Sequence, residues 1–289
     1  MRLLTFEKAG RPALGIARGE RVIDLGALDP DTPADWAAVF AEGGLERLRG
    51  LAANVPEEQT VPRDGLHLLP PIPAPPKILC VGLNYMAHAQ ETGSRLPTDP
   101  IFFTRFPSTL VGDGEAMVCP RASEQFDYEG ELVAVIGREG RHIPKERALE
   151  HVVGYSIFND GSLRDFQKKG RQWTLGKNFD ATGGFGPEIV TSDELPAAAS
   201  GLSIQTRLNG EVVQDGRTDD LIFDIPTLIA TASEVMTLQP GTIIVTGTPP
   251  GVGMAREPQL WMKAGDVVSV TIEGIGTLSN PIIDEHVAG

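Results

Sequence analysis

The chain has 289 residues, and its 39 Asp and Glu against 25 Lys and Arg leave a net charge of −14. That field repels phosphate and excludes nucleic acid and anionic membrane surfaces as partners. Hydrophobic residues at 41% and charged residues at 22% are the balance of a folded globular protein, and 33 Gly with 23 Pro point to turns and short strands rather than a helical bundle.

Residues 3–6, 13–17 and 21–25 are short apolar runs separated by Ala9-Gly10-Arg11-Pro12 and Arg18-Gly19-Glu20, which predicts a small antiparallel meander. The start has no long apolar core and meets charge at Glu7, so no signal peptide is expected. A helix is predicted over 33–53, capped by Asp31 or Thr32. Five prolines within 70–76 make a stiff connector, and the domain boundary is placed there. The expected division is a small N-terminal α+β accessory domain over 1–70, a connector over 71–76 and a catalytic domain over 77–289.

Beyond the connector, 77–82 reads as a buried strand and 85–91 as a short helix. Runs at 132–136, 152–158 and 242–246 have strand length, and 267–272 alternates as a late strand. A helix over 225–238 is predicted from the cap at Asp224 and Pro226 in the first turn, with Ile225, Leu228, Ile229, Ala232, Val235 and Met236 on one face. The fold class is α+β, predominantly β. No apolar run reaches the roughly 18 residues of a membrane helix. Two cysteines, Cys80 and Cys119, make no disulfide framework, and Cys80 lies in an apolar run as a buried thiol. A reducing compartment follows, most simply the cytoplasm.

Phe126-Asp127-Tyr128-Glu129-Gly130-Glu131-Leu132 is the sharpest local feature. On a strand, Asp127, Glu129 and Glu131 point to one face. Two carboxylates at the mouth of a buried strand suit a hard divalent cation. A solvated edge strand is the equally weighted alternative. The run 152–158 ends in Asn159-Asp160-Gly161, where Asp160 is either a turn former or a site carboxylate. An all-oxygen set of Glu129, Glu131 and Asp160 favours Mg²⁺, Mn²⁺ or Ca²⁺ over Zn²⁺. His88 and Glu91 fall three apart, so a helix there makes them either a base with its orienting carboxylate or an ordinary surface pair. Arg164, Lys168, Lys169, Arg171 and Lys177 are either a solvated basic face or a capture patch for an anionic substrate. Thr246-Gly247-Thr248-Pro249-Pro250-Gly251-Val252-Gly253 lacks the Lys of a P-loop, and its backbone and Thr248 can line a small-molecule pocket. Neither HExxH nor GxSxG is present.

Taken in order, Cys80–Tyr85 with His88 and Glu91, Asp127–Leu132, Asn159-Asp160, Arg164-Asp165 with Gln167, Trp173–Lys177 with Phe179-Asp180, and Thr246–Pro249 with Gly251-Val252-Gly253 resemble the fumarylacetoacetate hydrolase family, in its acylpyruvate hydrolase branch. The resemblance spans about 77–283. It implies a rolled mixed β-sheet, commonly paired into a homodimer. It implies Glu129, Glu131 and Asp160 as ligands of Mg²⁺ or Mn²⁺, with Ca²⁺ a possible occupant in a crystal. It implies His88 with Glu91 as the water-activating dyad on a lid around 85–100, and Lys177, Arg164, Gln167 and Thr248 against substrate. Arg105 stands where many relatives carry Lys, and is expected at the substrate carboxylate.

The implied reaction is metal-dependent hydrolysis of a carbon–carbon bond in a 2,4-dioxo acid, of acylpyruvate or fumarylpyruvate type, to pyruvate and a carboxylic acid, as in aromatic catabolism. The substrate is then a small anionic 2-oxo acid that chelates the metal, with His88 deprotonating water. The runner-up is decarboxylation of oxaloacetate or a related 2-oxo acid, or isomerase or lyase chemistry on such intermediates. A non-catalytic metal-binding protein on the same fold is the alternative of a different class.

Overall fold

The computed structural model describes residues 1–91, 93 and 95–286. Among the described residues, a twelve-stranded sheet runs through most of the chain. Its main path is Val61–Pro62, Arg21–Asp24, Arg11–Arg18, Arg2–Lys8, Gly183–Thr191, Val152–Asp160, Gly130–Ile136, Ile243–Val245, Ile78–Gly82 and Ile101–Thr104. Ile243–Val245 pairs parallel to Ile78–Gly82 while the strand on its other side pairs antiparallel, so the sheet is mixed.

Gly130–Ile136 explains how the layers form. Side chains alternate along a strand. Leu132, Ala134 and Ile136 pack into a core with Ile204, Val270 and Ile272 of a second sheet. Val133 and Val135 pack on the opposite face with Trp36, Val39 and Phe40 of the N-terminal helices. The second sheet runs Glu211–Arg217, Ser203–Leu208, Val267–Ile272, Gly276–Asp284 and Met117–Cys119. A strand with a core on both faces reads as a continuous apolar run, which is what 132–136 shows.

The meander is present as predicted, but it is not packed apart. Arg2 and Leu3 pair with Val190 and Ile189, and Leu3, Trp36 and Leu48 share one core with Val133, Phe158 and Val245. The proline-rich stretch therefore marks a change in composition, not a break in the hydrophobic core.

Three local expectations are corrected. The helix expected over 33–53 is two, Trp36–Ala41 and Leu45–Ala53, because Gly43 takes φ +66° between them. Its cap is Asp35, whose side chain accepts from Ala38 N–H, rather than Asp31 or Thr32. The helix expected over 225–238 is Ile225–Val235, capped by Asp224 as predicted, and the chain is already extended at Met236. Val235, the last helical residue, is 70% exposed, while Met236 beyond it still packs against the core.

Candidate active site

The acidic stretch is not one continuous strand. Phe126–Asp127 pairs with Ser162–Leu163 in a separate ladder, and Gly130–Ile136 belongs to the large sheet. Asn159 Oδ1 accepts Glu129 N–H at 3.0 Å across the interruption. Asp127, Glu129 and Glu131 are all buried, so the solvated edge strand is excluded.

Glu129 stands opposite Asp160, whose N–H donates to the Glu129 carbonyl at 2.8 Å. Glu131 follows two residues on, inside Gly130–Ile136. One oxygen from each of Glu129, Glu131 and Asp160 lies within 4.8 Å of the others. A hard divalent cation takes such an all-oxygen set.

Lys177, at the end of Thr174–Lys177, donates from Nζ to Glu129 Oε2 at 2.6 Å and to Asp160 Oδ2 at 2.7 Å. Arg164 opens the short helix Arg164–Gln167. Its Nε donates to Asp127 at 2.8 Å, its Nη1 donates to Gln167 Oε1 at 2.9 Å, and its Nη2 lies 2.6 Å from Glu129 Oε1. Burial opposes the charge on Glu129, but Arg164 and Lys177 outweigh it and bring its pKa down to about 2. Glu131 goes the other way. Burial first, then Asp160 and Glu129, push it well above the usual carboxylate range. It accepts the Gly247 N–H, and no Lys or Arg among the described residues forms an ion pair with it. A buried carboxyl that needs more positive charge to ionise fits a divalent cation, so the donor set and its electrostatics agree. Burial also opposes the charge on Lys177, but Asp160 and Glu129 hold its pKa above the ordinary lysine value, which makes it a charged donor and not a neutral base.

His88 sits on the helix Met86–Glu91 with Nδ1 3.2 Å from Glu91 Oε2, the geometry expected of the pair. Glu91 Oε1 accepts Gly251 N–H at 2.9 Å. The same loop gives Gly253 N–H to Asp127 at 2.7 Å, while Thr248 Oγ1 donates to the Gly130 carbonyl at 3.0 Å. Gly247 and Gly251 adopt φ of +101° and +106°, and a Cβ on Gly251 would stand 2.1 Å from the Val213 carbonyl oxygen. Backbone N–H groups of one loop thus hold carboxylates from three segments.

A cavity of about 440 Å³ brings together His88, Glu129, Glu131, Arg164, Gln167, Lys177 and Thr248. Val81, Leu83, Phe103, Trp173 and Met254 supply its apolar wall. Arg105 is placed elsewhere. It is 2% exposed, ion-pairs with Asp160, and donates to the Gly161 carbonyl at 3.1 Å and to Thr182 at 2.8 Å. It lies behind Asp160 and is not among the side chains that line the cavity, a correction to the expected substrate contact. Of the basic stretch, Lys169 and Arg171 are solvated, and Lys168 reaches the rim.

Sequence reasoning missed Gln214. It donates to Thr248 Oγ1 and to the Pro249 carbonyl, both at 2.8 Å, and accepts Gly130 N–H at 2.9 Å. It is fully buried between two sheets, and nothing local in the sequence marks it. Asn84 lies in the Cys80–Tyr85 stretch, just before the His88 helix. It donates to the Thr246 carbonyl at 2.8 Å and so joins the His88 helix to the loop.

A mixed sheet carrying a three-carboxylate cage and a His–Glu pair above it defines the class. Residues 77–283 match the fumarylacetoacetate hydrolase C-terminal domain, and the chain belongs to that family. It is 41% identical over 293 residues to oxaloacetate tautomerase FAHD2A, mitochondrial, of Homo sapiens, covering 98% of this chain and 92% of that protein. It is 40% identical over 290 residues to oxaloacetate tautomerase fahd2, mitochondrial, of Xenopus laevis, covering 98% and 90%. The crystal structure of maleylpyruvate hydrolase from Sphingobium sp. SYK-6 with manganese(II) and pyruvate superposes with a TM-score of 0.81 at 30% identity, covering 99% of this chain and all of that one. Both cysteines are free, and no helix among the described residues is long and apolar enough to cross a membrane.

Proposed function

We propose that the protein interconverts the enol and keto forms of a small 2-oxo diacid of oxaloacetate type, with Glu129, Glu131 and Asp160 holding Mg²⁺ or Mn²⁺. The observation that carries this is the buried cage, with one oxygen of each carboxylate within 4.8 Å of the others, beneath a cavity wall that presents His88. A divalent cation held by these three carboxylates would supply Lewis-acid chemistry toward a 2-oxo carboxylate. The protein's own groups do the rest. Arg164 and Lys177 counter the negative charge of the cage that a dianionic substrate would otherwise meet. His88, oriented by Glu91, moves the proton at the carbon next to the oxo group. Two relatives at 40–41% identity over 98% of this chain bear the name of that activity, which supports it.

Hydrolysis of an acylpyruvate is the second reading. The same His88–Glu91 pair can activate water, and the maleylpyruvate hydrolase structure supports it. Decarboxylation of oxaloacetate would need no water.

The test is one panel on the purified protein, with Mg²⁺, with Mn²⁺ and with EDTA. Ultraviolet absorbance follows enol-to-keto conversion of oxaloacetate, while pyruvate release follows decarboxylation and acylpyruvate cleavage. Accelerated conversion that EDTA abolishes and that Glu129→Ala or Asp160→Ala removes is the expected result. Fast acylpyruvate cleavage with no effect on oxaloacetate tautomers would replace the first reading by the second.

A further inference from the structure

Asp127 is the one acid of the 126–132 stretch that the proposed chemistry leaves without a task. Its carboxylate is fully buried. Oδ1 accepts backbone N–H groups from Tyr128 at 2.9 Å and Gly253 at 2.7 Å. Oδ2 accepts Arg164 Nε at 2.8 Å and Met254 N–H at 3.0 Å. A carboxylate offers about four lone-pair sites, so four donors saturate it. The glycine at 253 is required for this approach, since a Cβ there would stand 2.6 Å from Asp127 Oδ1 and 1.8 Å from the Leu260 carbonyl oxygen.

Arg164 is where this anchoring reaches the cavity. A guanidinium is planar, so fixing Nε fixes the directions of both terminal nitrogens. Nη1 meets Gln167, itself on the cavity wall. Nη2 pairs with Glu129 Oε1 at 2.6 Å. Of the three carboxylate and amide partners that orient this plane, Asp127 alone is not on the cavity wall, and it holds the plane at Nε.

We propose that Asp127 is a positioning residue: it fixes the guanidinium plane of Arg164 and thereby the donor presented to the carboxylate of a 2-oxo acid. The inference rests on the proposed assignment of the cavity to such acids. It assigns the buried aspartate to substrate affinity through Arg164, and not to the metal.

Asp127→Asn is the informative change, because in either flip the amide turns its NH₂ toward two N–H donors. KM for oxaloacetate is expected to rise about 10- to 100-fold, the scale of a hydrogen bond to a charged group, with kcat within about threefold. In an Arg164→Met background the same change is expected to move KM by less than about twofold, since partners in one network are non-additive. Independent effects in the two backgrounds, or a loss confined to kcat, would assign Asp127 to the loop alone and overturn the proposal. Asp127→Glu keeps the charge but displaces the contact, and the same rise in KM is expected. Failure of both Asp127 variants to fold, judged by circular dichroism, also overturns it. If the wild type turns over no 2-oxo acid, the assignment of the cavity has failed, an outcome visible without any variant.

Discussion

Arg105 and Lys177 show how single residues divide the work of a charged site. Both are buried cations on Asp160, but Lys177 also lines the cavity whereas Arg105 faces Asp160 from behind. Arg105 uses all three of its nitrogens, on Thr109, Asp160, Gly161 and Thr182. A lysine cannot reproduce that fork. Arg105→Lys is therefore expected to lower Mn²⁺ affinity about 10- to 100-fold, the usual cost of disturbing a group that orients a ligand. Isothermal titration of the purified variant checks this, and unchanged affinity would mean that the strand alone orients Asp160. The carboxylates stood out in the sequence because acids clustered beside apolar runs are a local signal, but the family resemblance, not the spacing, joined them into one metal set. The role of Arg105 was not legible, because it depends on sheet neighbours whose pairing no local pattern reveals.

At the scale of elements, caps and breaks decide more than apolar periodicity. Asp224 was legible as a cap, and its Oδ1 accepts Thr227 N–H at 2.9 Å. Asp224→Ala is expected to cost about 1 kcal/mol of stability, read from denaturant melts at neutral pH. Burial opposes its charge, but hydrogen bonds from Thr227 and Lys145 win and lower its pKa. A carboxyl whose folded pKa lies below its unfolded value stabilises above about pH 4 and loses that contribution as pH falls further. The gap between wild type and Asp224→Ala should accordingly narrow in melts at acid pH. The pair Gly43-Gly44 carried the opposite signal, a helix break, and apolar spacing on both sides concealed it.

For the whole molecule, the connection between the first 70 residues and the rest is the main finding that composition could not supply. A proline-rich stretch looks the same whether it links two domains or crosses one. The Arg2–Lys8 strand covers the edge of Gly183–Thr191, and the N-terminal helices cover Val133 and Val135. A chain beginning at Lys77 would expose both that edge and half of one core. It is expected to aggregate or to be degraded rapidly by trypsin, and a stable monodisperse product with an intact cage would overturn this.

The pairing of Leu3 with Ile189 also has a consequence for how the chain is made. The first strand leaves the ribosome long before its neighbour in the sheet is synthesised. Until then, the meander and its two helices can gather only locally, around Trp36 and Leu48, with no strand along one side. Closure of the large sheet is consequently a late, long-range event, of the kind that slows folding and leaves a nascent chain dependent on protection.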